Sequence, residues 1–229
     1  MSQLVDDLYN LLQQRAQAGY VRNGVGIPSL SKDDLSSIEA VANYFGFNPV
    51  WLVNLINIES AGTFNPSITN NIGATGLIQF LPSTAISLGT TTNALRAMTF
   101  PQQMDYVRSY IYNTLKNLNV ISASNTIVPD WFTFRDLCMT IFYPAAVGNP
   151  DYIMPSYVTA LNPSVRTAQD YVDHAMSMAI LQDIYTMKET ATLVVSVVKK
   201  NIVVVVAAAL LFTMGIIGLI YTKNKKQTI

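Results

Sequence analysis

The chain has 229 residues, of which 12% are charged, with a mean hydropathy of +0.29 and a formal net charge of zero. An ordinary globular protein carries about 25% charged residues, so these figures exclude a disordered or low-complexity chain and point to a membrane segment. The zero is a sum of unequal parts: residues 1–198 hold nine Lys/Arg against fourteen Asp/Glu, whereas the last 31 hold five lysines and no acid.

The first residues, MSQLVDDLYNLLQQ, lack the basic start and apolar run of a secretory signal. Ser2 is placed to cap a first helix in which Leu4, Leu8, Leu11 and Leu12 share a face as far as Gly19. Residues 22–31, with Gly24, Gly26 and Pro28, read as a loop. Ser31, followed by Asp33 and Asp34, starts a second helix that ends near Gly46. Pro49 opens a third, which Gly62 closes, and Pro101 a fourth, with Met104, Val107, Ile111, Leu115 and Leu118 on one face. Phe134, Leu137, Cys138, Ile141 and Phe142 mark a fifth, stopped by Pro144, and residues 170–187 continue helical. No alternating strand pair flanks a hairpin signal, so the fold class is mainly α.

Residues 202–221, IVVVVAAALLFTMGIIGLIY, contain no charge. As a helix this run is ~30 Å long, matching a bilayer's hydrocarbon core. Lys199 and Lys200 flank one end, Lys223, Lys225 and Lys226 the other, and Tyr221 stands where an interfacial aromatic belongs. The expected organisation is an N-terminal helix and loop (1–34), a catalytic domain (35–186), a linker (187–201), a transmembrane helix (202–221) and a basic tail (222–229).

One cysteine, Cys138, and one histidine, His174, argue against a disulfide framework and a zinc site. Cys138 lies on an apolar face and reads as a buried small hydrophobe; His174 reads as a surface residue. Phosphate-binding glycine loops and a nucleophile-elbow serine are missing from the sequence. No metal or cofactor is expected, and without a basic patch on the body neither is nucleic acid.

Glu59 ends the apolar stretch VWLVNLINIES, beside the uncharged Leu55, Ile56 and Ile58. A helix C-terminus and apolar surroundings both favour the neutral acid and raise its pKa. From Ser60 to Met104 the chain has no acid, and Arg96 is its only basic residue. A lone carboxylate before a loop rich in Gly, Asn and Thr suits a general acid facing a neutral polyhydroxyl substrate. A solvated helix-end glutamate accounts for the same features equally well, and composition alone leaves the two open.

Glu59-Ser60, then Phe64-Asn65-Pro66, then GATGLIQFLPSTA at residues 73–85 follow a family pattern at nearly every position across 27 residues. That pattern is E-S, F-x-P and G-A-x-G-L-[MI]-Q-x-[ML]-P-x-T-A. The segment resembles the catalytic domain of the soluble lytic transglycosylases, which share the goose-type lysozyme fold. The onward sequence, through SLGTTTNALRAM to FYPAAVGNPDYI, is similar to the transglycosylase-like cell-wall hydrolases carried by phages. Together the resemblance spans roughly residues 35–157. It implies a lysozyme-like helical domain that cleaves the β-1,4 bond between N-acetylmuramic acid and N-acetylglucosamine in peptidoglycan. It makes Glu59 the catalytic acid and base, giving a 1,6-anhydro end. Tyr143 matches the family tyrosine that orients this glutamate, although Pro144 stands where the family has an asparagine. Ser60, Gln79 and Phe80 become substrate-binding residues. Gly73 and Gly76 let the loop backbone approach the sugar, or are simple turn glycines.

Three alternatives stay open. Hydrolysis of the lysozyme type would need Asp105, Asp130, Asp136 or Asp151 beside Glu59. An inactive structural membrane protein of a virion would keep the fold without the reaction, and a holin-like pore former would leave the body unexplained. The phage likeness and the apolar run together imply a single-pass protein in a virion membrane, with other virion proteins as partners; a bacterial inner-membrane enzyme facing the periplasm is the alternative.

Overall fold

The computed structural model describes residues 1–22 and 24–181. The expected linker, membrane helix and basic tail lie outside the described residues. Among the described residues no helix is long and apolar enough to cross a membrane.

The described fold is mainly helical, as the periodicity implied. Helix α1 (Gln3–Gln17) is capped by Ser2, whose hydroxyl accepts from Val5 N at 3.2 Å. The same hydroxyl donates to the Glu39 carboxylate at 2.7 Å, tying α1 to helix α2 (Lys32–Phe45). Between them β1 (Val21–Arg22) and β2 (Val25–Gly26) form a two-residue antiparallel hairpin where a loop was expected; two residues are too few to show an alternating pattern. Ser31 and Asp34 form a reciprocal capping box on α2, and Gly46 ends it in the left-handed conformation.

Helix α3 (Pro49–Glu59) is the hub. Its residues from Pro49 to Asn57, apart from Trp51, are buried, so its sequence carries no polar face. It packs against α2 on one side and against α9 (Ala168–Met178) and α7 (Phe134–Phe142) on another. Helix α6 (Phe100–Asn117) lies across α2, burying Met104, Val107, Ile111 and Leu115 as their spacing required. The short helices α4 (Pro82–Ser87), α5 (Thr92–Arg96) and α8 (Ser156–Leu161), and a 3-10 turn at Pro144–Ala146, are shorter than a readable apolar period.

The expected helix over residues 170–187 ends sooner. Helix α9 stops at Met178, and Ala179 leaves in an extended conformation. Two buried asparagines of α3 account for this. Asn57 Nδ2 donates to Met178 O at 3.0 Å, and Leu181 N donates to Asn54 Oδ1 at 3.1 Å. Arg15 of α1 also donates to Ile180 O. These partners take backbone groups that a continuing helix would need for itself. Helix α1 therefore belongs with the rest of one compact unit, Met1–Gln182.

Candidate active site

Glu59 is the last residue of α3, and the chain turns sharply after it. Ser60 N still bonds back to Ile56 O, whereas Gly62 N reaches Asn57 O at 2.7 Å. The turn is held by Ser60, whose buried hydroxyl accepts from Phe64 N at 3.0 Å. Ser60 is wholly enclosed and its hydroxyl is engaged by the backbone, so it shapes the turn.

Two cavities, each of about 420 Å³, meet at Glu59 and share Asn70, Gln79 and Phe142 as walls. The first continues past Ile78, Phe80, Tyr110 and Asn162, the second past Ile58, Ile68 and Tyr171. Together they make a cleft with apolar and aromatic walls interrupted by amides. That combination suits a neutral, hydroxyl-rich ligand whose ring faces are apolar.

The Glu59 carboxyl is desolvated. Burial pushes its pKa from 4.5 up to about 7, in the direction its sequence neighbours implied, and a hydrogen bond from Tyr171 offsets part of that rise. The Tyr171 hydroxyl donates to Glu59 Oε1 at 2.8 Å. Its ring stacks on Phe142, centroids 4.2 Å apart, which holds the phenol in place. Burial, and then the nearby Glu59 charge, keep the Tyr171 phenol well above its ordinary pKa, so it stays a donor.

Tyr143 does not fill the role the resemblance implied for it. It caps α7, and its hydroxyl lies 3.1 Å from that of Tyr157. The backbone turns into the Pro144–Ala146 segment at this residue, and the phenol on Glu59 comes from α9 instead. Tyr171 carries no local signal: it is one apolar-face residue among Val172 and Ala175 on an amphipathic helix.

The glycine-rich loop places Gln79 in both cavities with φ +54°, a conformation uncommon for a side-chain-bearing residue and often found at functional positions. Its Nε2 donates to Gly76 O at 3.0 Å, which fixes the amide. Phe80 is buried, pairs its backbone with Thr75 and presents an edge to Tyr110 in the first cavity. Gly73 has φ +82° in a turn closed by Asn70 and remains partly exposed. Gly76 is different: it is buried with φ +86°, and a Cβ there would lie 2.3 Å from Gln103 Oε1. Its missing side chain makes room for Gln103.

Gln103 escaped the sequence reading. Buried on α6, it accepts from Leu77 N at 2.6 Å and donates to Pro66 O and Leu95 O, each at 3.0 Å. It thus pins the loop that carries Asn70 and Gln79.

Among the described residues no Asp and no second Glu lines either cavity. Asp105, Asp130 and Asp151 are exposed. Asp136 is buried but engaged elsewhere, accepting from Thr133 N and Gly148 N, each at 2.8 Å. Cys138 is buried and His174 is exposed. The described residues form no cluster suited to a metal ion.

Residues 36–120 match the family model of the Transglycosylase SLT domain. No curated protein matches the chain. The family match includes Glu59, the glycine-rich loop and Gln103, and ends before Tyr143 and Tyr171. With the helical architecture, it supports a lysozyme-like transglycosylase domain and a transglycosylase-type function acting on peptidoglycan.

Proposed function

We propose that the chain is a peptidoglycan lytic transglycosylase in which Glu59 acts first as acid and then as base. The observation that carries this reading is a single desolvated carboxyl, pushed to about 7, in a cleft lined by no other acid among the described residues. Protonated Glu59 gives its proton to the glycosidic oxygen as the bond to C1 of N-acetylmuramic acid breaks. The resulting carboxylate takes the proton of that sugar's C6 hydroxyl, whose oxygen closes on C1 as the 1,6-anhydro ring. The proton count balances, and water is not consumed.

Tyr171 serves both halves of this cycle. Its hydroxyl orients the carboxyl towards the cleft and stabilises the carboxylate that forms after the first transfer. Asn70 and Gln79 supply amides for the sugar's acetamido and hydroxyl groups, while Phe142 and Tyr110 supply apolar walls.

Mass spectrometry of the products of purified peptidoglycan tests the reading. Anhydro-ended muropeptides are expected. Reducing ends would assign hydrolysis instead, and no cleavage by the wild-type chain would leave a structural protein on a hydrolase fold.

The same proposal extends to location. Residues 202–221, uncharged and bracketed by lysines, would attach the enzyme to a membrane, and the phage-like run through residues 142–153 favours that of a virion. Protease protection on cells expressing the chain tests this: digestion of the body from the periplasmic side without any virus particle would favour a bacterial inner-membrane enzyme.

A further inference from the structure

Beside the first cavity stands a group of three tyrosines, one exposed and two half-buried, that the reaction at Glu59 leaves unused. Tyr143 follows directly on Phe142, a wall residue of both cavities. Its hydroxyl meets that of Tyr157 on α8, and its ring stands 5.5 Å from the Tyr152 ring at 45°. Helix α8 then returns the chain to the cleft, because its C-cap Asn162 lines the first cavity. Three tyrosines from separate turns of the chain therefore share one patch, and the chain on either side of it supplies Phe142 and Asn162 to the cleft wall.

None of the three rings is fully buried, Tyr143 and Tyr152 being half-buried. Tyr157 is 64% exposed, and Leu161, one helical turn further along the same face, is 83% exposed. Single apolar residues on a surface need no explanation, but a group of rings joined to a cleft calls for an occupant. A pyranose ring offers a face of C–H groups to an aromatic ring and hydroxyls to the phenols around it. Tyrosine suits such a contact because it brings large area with few rotatable bonds.

We infer that Tyr143, Tyr152 and Tyr157 form a stacking platform for a sugar of the same glycan strand, beyond the units held at Glu59 and on the Asn162 side. The inference rests on the proposal that the cleft takes a glycan. Its place between two residues of the cleft wall, Phe142 and Asn162, selects a saccharide as the occupant over a separate protein partner. The platform lengthens the footprint of the enzyme, so its contribution grows with strand length.

Tyr157→Ala in the full chain tests it, since alanine is a strong helix former at an exposed helical position. In a Glu59→Gln background, which leaves the ligand intact, affinity is compared for long soluble glycan strands and for a disaccharide. The long strand should bind roughly two- to ten-fold more weakly, the worth of one aromatic contact, with disaccharide binding unchanged. Tyr157→Trp should restore the long-strand affinity. Unchanged long-strand binding, or equal losses for both ligands, would overturn the platform. Cleavage by the wild-type chain judges Glu59 separately: a protein that binds strands but cuts none refutes the catalytic proposal and leaves the binding comparison valid.

Discussion

The Tyr171 hydroxyl reaches Glu59 Oε1 at 2.8 Å across 112 positions of sequence. Two opposed effects meet at that carboxyl: burial favours the neutral acid, and the phenol favours the carboxylate. Burial is the larger, leaving the group at about 7. Near neutral pH it therefore exchanges readily between the two forms that acid and base catalysis need. The packing of α9 on α3 and α7 is what brings the two residues together.

Activity should fall as pH rises through about 7, because the first step needs protonated Glu59. Tyr171→Phe removes the effect that lowers this pKa, so the falling limb should move to higher pH while kcat drops. Profiles of kcat/KM against pH for the two proteins check this, and a limb displaced to lower pH would contradict the assigned bond.

Tyr143→Phe should leave that limb where it is, since the Tyr143 hydroxyl faces Tyr157. A displacement as large as that of Tyr171→Phe would return the orienting role to Tyr143.

Glu59→Gln should abolish detectable turnover, since a positioned general acid contributes about 10²–10⁴-fold. It should also stabilise the fold in mild alkali. Between 4.5 and about 7 the folded carboxyl holds a proton that the unfolded chain releases. The stability present below the unfolded value is therefore lost as pH rises through the folded one. At about pH 8 the variant should be more stable by up to about 3 kcal/mol, and near pH 4 the difference should vanish. Urea unfolding at the two pH values measures it.

Gln103→Leu should cost about 2–4 kcal/mol, because it strands the buried Leu77 N–H and the carbonyls of Pro66 and Leu95. Gly76→Ala should be destabilising for two reasons, the positive φ and the collision with Gln103. Both variants should lose activity in step with the displacement of Gln79. Denaturant midpoints measured beside kcat check them, and a fully active, fully stable Gly76→Ala would refute the account of the clamp.

Much of this molecule follows from local chemistry. The caps at Ser2 and Ser31, the left-handed Gly46, the proline at the start of α3 and the apolar face of α6 are each dictated within one or two turns of chain. The environment of Glu59 was legible in the same way, because its neighbours on α3 are apolar and the acids stop with it. Tertiary packing decided what lies opposite. Tyr171 rather than Tyr143 reaches Glu59, Gln103 fills the space over Gly76, and Asn54 and Asn57 end α9 before its apolar pattern does. A helical period specifies which side of an element is buried and says nothing about which distant backbone or carboxyl its polar atoms will meet there. Those partners are selected when buried donors and acceptors, cut off from water, pair with whatever the packed neighbours present.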